Sequence, residues 1–358
     1  MSSVRRIEVA IFPHELPHKK RLDYIDRIFI RHDAIKIAAQ ALQHLTFAPN
    51  RRREGSVGYI RGYSRCGKSE ILKRHIEELT GTQVGKGLQR LIEGNGHLIV
   101  YLELSAGETP LGVATRWLRL FEDLRVSARG RRYEPPLRER DAIQRAIDIS
   151  NDNNVTLVAL DEYQNLFRSG SSAAVDAARS MLITMQNAAT FPIAITGSPL
   201  LEELFSRHEA VKERAGPRVL LKPLPFRARK EQIAFASVIK KFEDKLPFLQ
   251  KPGLSTKDWL QSTFFATRGR LGRLTLLTRA ATDLAFADCA EGTMPSTLSI
   301  KHLNQAFDLL HGDDPTMNGV NPWVKDFQLP NIPLSVEDAM RINLDDRKRR
   351  KGRTLYDE

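Results

Sequence analysis

"GYSRCGKS", residues 62–69, sits between the strand-like "VGYI" (57–60) and the helix-like "SEILKRHIEEL" (69–79). It fits the pattern G-x-x-x-x-G-K-[ST], a loop that cradles phosphate between a strand and a helix. Gly62 and Gly67 let the backbone curl so that successive N–H groups point at phosphate oxygens. Tyr63, Ser64, Arg65 and Cys66 supply the peptide units between them. The helix start, with Glu70 in its first turn, adds a partial positive charge. Lys68 is expected to reach the β- and γ-phosphates of ATP, and the Ser69 hydroxyl to ligate Mg2+.

A second stretch, "TLVALDEY" (156–163), ends an apolar run in two carboxylates. In a parallel sheet Asp161 emerges at the carboxyl edge beside the phosphate loop and holds magnesium through water. Glu162 then orients and polarises an attacking water. A glutamate directly after the metal-side aspartate favours water over a metabolite as the phosphoryl acceptor. "IAITGS" (193–198) ends another strand in Thr196, a hydroxyl able to sit between the carboxylates and the γ-phosphate.

The chain has 358 residues, enough for two compact units and a tail, with 41% hydrophobic and 27% charged residues. No apolar run approaches the roughly 18–20 residues of a membrane span. The opening residues lack a sustained apolar segment, and Cys66 and Cys289, far apart, match no zinc or disulfide spacing. A cytoplasmic location is the expectation. The net charge of +12 attracts polyanions, meaning nucleic acid or an anionic membrane face.

Helical periodicity marks "DYIDRIFIRHDAIKIAAQALQHL" (23–45). "GTQVGKGLQRLIEGNG" (81–96) reads as a glycine-punctuated connection, and "HLIVYLEL" (97–104) as a buried strand. Thr109 and Pro110 open a helix, as N-cap and first helical residue. Strands alternating with helices predict an α/β fold with a mostly parallel sheet. After about residue 228 the segments carry only helical periodicity, so the expected units are residues 1–50 (helical approach), 51–227 (α/β), 228–312 (helical) and 313–358 (tail). In the tail, Trp323, Phe327 and Leu329 stand in polar surroundings, suited either to a partner's groove or to folding back on the helical unit.

Glycine loop, Asp-Glu pair, polar strand end and a helical segment opening "ATRGRLGRL" together resemble an AAA+ ATPase. More narrowly, "HEAVKERAGPRVLLKPLPF" (208–226) and "FATRGRLGRLTLLTRAA" (265–281) resemble the transposition regulators TniB and TnsC of Tn-type transposons, the CRISPR-associated ones among them. The resemblance covers roughly residues 30 to 312. It implies a P-loop AAA+ parallel sheet flanked by helices, then a smaller all-α lid domain and an extended tail. It gives Thr196 the sensor-1 role and makes Arg273 the sensor-2 arginine reaching the γ-phosphate. Arg214 resembles the arginine acting on a neighbouring subunit's nucleotide. Ala215 stands where that pattern has Phe, so Arg218 stays a rival.

The family assembles as rings or helical filaments on double-stranded DNA and recruits transposase and target-selection subunits. By resemblance the DNA-facing loops are "SAGETP" (105–110) and "RVSARGRR" (125–132). In the second, Arg125, Arg129, Arg131 and Arg132 could neutralise phosphates without reading bases. Two other classes remain open. One is a different AAA+ DNA machine, such as a helicase loader or repair ATPase. The other is a nucleotide-switched scaffold that never touches DNA.

Overall fold

The computed structural model describes residues 12–47, 56–85, 89–126, 138–168, 170–206, 215–290, 293–312 and 320–330. The chain divides into two compact units, residues 33–222 and residues 1–32 with 223–358.

The first unit is a sheet with helices. Its elements are α2 (Asp33–Phe47), β1 (Val57–Gly62), α3 (Lys68–Thr80), β2 (Gln89–Gly94), β3 (His97–Glu103), α4 (Pro110–Val126), α5 (Glu139–Asp152), β4 (Leu157–Asp161), α6 (Ser172–Ala188), β5 (Ile193–Gly197), α7 (Glu202–Ser206) and β6 (Ala215–Leu221). The helix preceding these, α1 (His18–Asp26), belongs to the other unit. Six strands pair in the order β2-β3-β4-β5-β1-β6. All neighbours are parallel except β2 and β3. Every residue of β4 and β5 is buried, which is why both read as continuous apolar runs. Helix α4 opens as expected, Thr109 Oγ1 accepting from Gly112 N at 3.2 Å with Pro110 first in the helix. The core beside it centres on Trp117, fully enclosed, whose Nε1 donates to Ser150 Oγ at 3.0 Å.

One strand was not expected. Residues 89–94, read as part of a connection, pair antiparallel with β3 from Gln89↔Leu102 to Gly94↔His97. Asn95 and Gly96, both at positive φ (50° and 76°), make the two-residue turn. An Asn-Gly pair between apolar runs is the strongest short-range hairpin signal, and "LIEGNGHLIV" carries it.

The second unit contains α1, α8 (Arg229–Asp244), α9 (Leu260–Thr267), α10 (Leu271–Ala287) and α11 (Ile300–His311). Its core gathers Phe226, Phe235, Phe242, Phe264, Phe265 and Phe307. Arg21 of α1 is fully buried in it, between the rings of Phe248 and Phe286 (5.2 and 4.9 Å). Its guanidinium donates to the carbonyls of His14, Leu16 and Pro295, so the buried charge is hydrogen-bonded on several sides. Of the two readings of the tail, folding back is the one seen. Trp323 is 3% exposed against Trp259, Phe327 packs edge-on to Phe265, and Leu329 N donates to Gln261 Oε1 at 3.1 Å. No described helix is long and apolar enough to cross a membrane.

Candidate functional site

The phosphate loop joins β1 to α3, and its two glycines serve different ends. Gly67 lies at φ 93°, the left-handed region, and caps α3. Gly62 is not in that region. It pairs with Leu221 of β6, whose carbonyl oxygen would stand 2.6 Å from any added Cβ. The first glycine is therefore fixed by the approach of a neighbouring strand, not by the curl of the loop. Arg65 (φ 64°) supplies the other left-handed residue of the loop. Ser64 and Arg65 are exposed, while Tyr63 and Cys66 are buried. Alternating backbone hands of this kind turn successive N–H groups toward one point, an anion nest.

Lys68 is the first residue of α3 and is 6% exposed. Its ammonium donates to the loop's own Tyr63 carbonyl at 3.1 Å. A cation at a helix N-terminus opposes the helix dipole, so the carbonyl offsets part of that cost. Ser69 follows on the same turn, half-buried. The Glu70 carboxylate accepts from Arg74 Nε at 2.8 Å. Behind the loop, His75 is 3% exposed and meets Thr46 of α2, Nε2 to Oγ1 at 2.7 Å. Burial pulls the His75 pKa down to about 4.

Because β1, β4 and β5 run parallel, their carboxyl ends share one edge of the sheet. Asp161 closes β4 there and is 1% exposed. Its Oδ1 accepts from the Thr196 hydroxyl and from Glu162 N (2.9 Å), and its Oδ2 accepts from the Tyr101 hydroxyl at 3.2 Å. Burial, with the Asp161 carboxylate next, pushes the Tyr101 phenol well above its ordinary pKa, so it stays a donor. Glu162 is half-buried at φ 57°, ψ 37°, and its Oε2 accepts from Gln164 Nε2.

The donor set suits magnesium. That ion takes one or two carboxylates together with phosphate oxygens and water, and an Asp carboxylate with a Ser hydroxyl fits. Among the described residues no group of three or more His, Cys, Asp or Glu could hold a metal on side chains alone.

Sequence reasoning missed Tyr101 and Gln164. Each is a polar tip within an otherwise enclosed run, and an enclosed polar tip needs a partner. The remaining expected residues lie on other elements or outside the described residues. Arg218 is exposed on β6, an edge strand. Arg273 lies in the first turn of α10, in the other unit. Just before it, Arg268 and Gly269 are both left-handed, and Gly269 O accepts from Leu224 N at 2.8 Å. Arg125 is on the last turn of α4. Arg129, Arg131, Arg132 and Arg214 lie outside the described residues. The "SAGETP" loop carries no cation. Its Glu108 accepts from Arg116 Nε at 2.6 Å and from Ser105 N at 2.9 Å.

No curated protein matches this sequence. Residues 51–205 match the family model described as an AAA domain. Among solved structures, the ORC2 protein of Aeropyrum pernix in its ADPNP-ADP complexes is similar with a TM-score of 0.53 and 14% identity, over 80% of this chain and 71% of that one. The ORC1 protein of Aeropyrum pernix in complex with DNA gives 0.52 and 16% identity, over 83% and 70%. Cdc6p from Pyrobaculum aerophilum gives 0.50 and 12%, over 79% and 69%. At such identities the likeness is one of fold. Sheet order, phosphate loop and these likenesses agree that the chain has the P-loop AAA+ fold, and the AAA-domain model matches residues 51–205 of it.

Proposed function

We propose that this chain is an ATPase that works as a switch on double-stranded DNA. With ATP bound it self-associates, as a ring or helical filament, marks a target site and recruits transposase and target-selection subunits. Hydrolysis to ADP and phosphate drives disassembly. The observation that carries the ATPase reading is the shared edge of the sheet: phosphate loop after β1, Asp161 and Glu162 ending β4, and Thr196 of β5 bonded to Asp161.

Each residue then has a task. The loop amides and Lys68 bind phosphate oxygens, the ammonium exchanging the Tyr63 carbonyl for them. Ser69 and, through water, Asp161 would hold a magnesium ion, which would neutralise charge on the β- and γ-phosphates. An ionised carboxylate has about four acceptor sites, so three donors on Asp161 leave it able to take a metal-bound water. Glu162 orients the water that attacks the γ-phosphorus, and Thr196 reports the state of that phosphate. Arg273, and Arg214 or Arg218 from a neighbouring subunit, supply cationic forks to the developing charge.

Duplex DNA as the client is supported by the net charge of +12 and by the Arg125–Arg132 segment. The similar Aeropyrum pernix ORC1 protein was solved with DNA. The transposition assignment rests on the resemblance of residues 208–226 and 265–281. A second reading, another AAA+ DNA machine such as a helicase loader or repair ATPase, has the same site and another client, and the DNA-bound Aeropyrum pernix ORC1 structure fits it as well.

The test is binding of the full chain to fluorescent duplex DNA of random sequence. It compares no nucleotide, ATP with magnesium, and a non-hydrolysable analogue, for wild type and Lys68→Ala. Cooperative, salt-sensitive binding that needs nucleotide and is lost in the variant is the expected result. Binding indifferent to nucleotide, or no binding, overturns the DNA switch. Stimulation of a transposase by the DNA-bound chain separates transposition from the second reading.

A further inference from the structure

One enclosed polar side chain beside Glu162 has no part in the assignments above. Gln164 lies on the turn of 3-10 helix (Tyr163–Leu166) that follows β4 and is 7% exposed. Its amide is used at both ends. Nε2 donates to Glu162 Oε2, and Oε1 accepts from Ser198 N at 2.8 Å. Ser198 is the first residue beyond β5, two positions after Thr196. Between them Gly197 leaves no room for a side chain, since a Cβ there would run into Gln164 Oε1 and Leu201. The amide is thus held against the end of the strand that carries Thr196.

A carboxamide satisfies both ends of this position, its NH2 donating to a carboxylate and its oxygen accepting from a peptide N–H. Glu162 itself sits in the left-handed region, which a non-glycine residue holds when its surroundings fix it. The Asp161 Oδ1 bond to Glu162 N and the Asn165 N–H on the Glu162 carbonyl (2.9 Å) hold its backbone, and Gln164 holds its side chain.

We propose that Gln164 is a positioning residue for hydrolysis. It holds the Glu162 carboxylate in place and couples that place to the end of β5, so a shift of Thr196 reaches Glu162 through one amide. The inference rests on the ATPase reading. Gln164 touches neither nucleotide nor water in it.

The experiment measures steady-state ATP hydrolysis by the full chain with duplex DNA and magnesium, against ATP concentration and pH. A fluorescent ATP analogue reports binding. Wild type, Glu162→Gln, Gln164→Leu and Gln164→Glu are compared. Gln164→Leu is expected to lower kcat about 10- to 100-fold, with KM and analogue affinity within about twofold of wild type. Gln164→Glu keeps the size and the Ser198 contact but sets two carboxyl groups together. The acid limb of its kcat–pH profile then moves up by about one unit or more. Should Gln164→Leu fail to fold, Gln164→Asn, which keeps the amide but is too short to span both partners, replaces it with the same fall in kcat expected. Wild-type kcat and an unmoved acid limb in the Gln164 variants, with Glu162→Gln inactive, overturn the proposal. A fall in kcat that comes with an equal loss of analogue binding also overturns it, marking a merely structural side chain. A wild type that does not hydrolyse ATP overturns the reading beneath it, and its own lack of turnover tells the two failures apart.

Discussion

The Thr196 hydroxyl donates to Asp161 Oδ1 across the neighbouring strands β5 and β4, and the two residues are 0% and 1% exposed. The pairing Leu160↔Ile195 sets this meeting, because it brings the next residues of both strands side by side. A slip of one residue would turn Thr196 to the opposite face.

Replacing Thr196 by Val keeps the shape of the side chain and removes the donor. An enclosed carboxylate left short of a hydrogen bond costs about 1–3 kcal/mol. Chemical denaturation of Thr196→Val should show a loss of that order, and ATP turnover should fall by at least about tenfold. Thr196→Ser, which restores the hydroxyl, should recover most of the turnover. A Val variant as active as wild type would show that the hydroxyl has no part in the reaction.

Gly62→Ala tests whether the first glycine of the loop answers to β6. The added methyl meets the backbone carbonyl oxygen of Leu221 at 2.6 Å, and a backbone atom cannot swing aside, so β1 and β6 must part. Loss of about 2 kcal/mol or more is expected, along with weakened binding of a fluorescent ATP analogue. Calorimetry and fluorescence titration read the two effects. Wild-type stability in Gly62→Ala would show that the strand gives way without cost.

Below neutrality the helix after the loop carries a liability. The folded pKa of His75 is depressed to about 4 from an ordinary 6.5. The unfolded chain therefore takes up a proton before the folded one does. Its contribution is complete above pH 6.5 and lost as pH falls toward 4, a change of about 3 kcal/mol. Urea midpoints across that window should fall less steeply for His75→Gln than for wild type. Equal slopes would remove His75 as the cause.

Two enclosed phenols act at the other end of the scale. Burial holds the Tyr101 and Tyr163 pKa values above their ordinary value, and the Tyr163 hydroxyl donates to Ala178 O at 2.9 Å. In the unfolded chain each phenol ionises near pH 10. Above that pH each removes about 1.4 kcal/mol of stability per unit. Between about pH 9 and about pH 11, Tyr163→Phe should lose less stability than wild type. An identical loss would exclude this phenol from alkaline unfolding.

What the sequence made legible was local. The phosphate loop and the Asp161–Glu162 pair are short strings whose residue types follow from adjacent backbone, and they could be read directly. The strand at residues 89–94 carried its Asn-Gly signal, but the glycines on either side of it looked like a connection. Tyr101 and Gln164 were not legible for another reason. Tyr101 lies 60 positions from Asp161 in sequence, and Gln164 reaches Ser198 across 34, so only strand register brings them together. Helical periodicity over residues 23–45 likewise showed a face that would be covered, but not what covers it. Nor could composition decide whether Trp323 served a partner or its own chain.

Arg21 binds the carbonyl of Pro295, 274 positions away. One compact unit is thus gathered from both sides of the other, which occupies a continuous run, residues 33–222. During synthesis the sheet has all its strands before the residues that enclose Arg21 have been made. The nascent chain must carry an unsheltered α1, with Leu22 and Ile25 open to water, until Phe248, Phe286 and Pro295 emerge. Ribosome-stalled chains of increasing length should therefore gain protease resistance in two steps, the sheet first and α1 last.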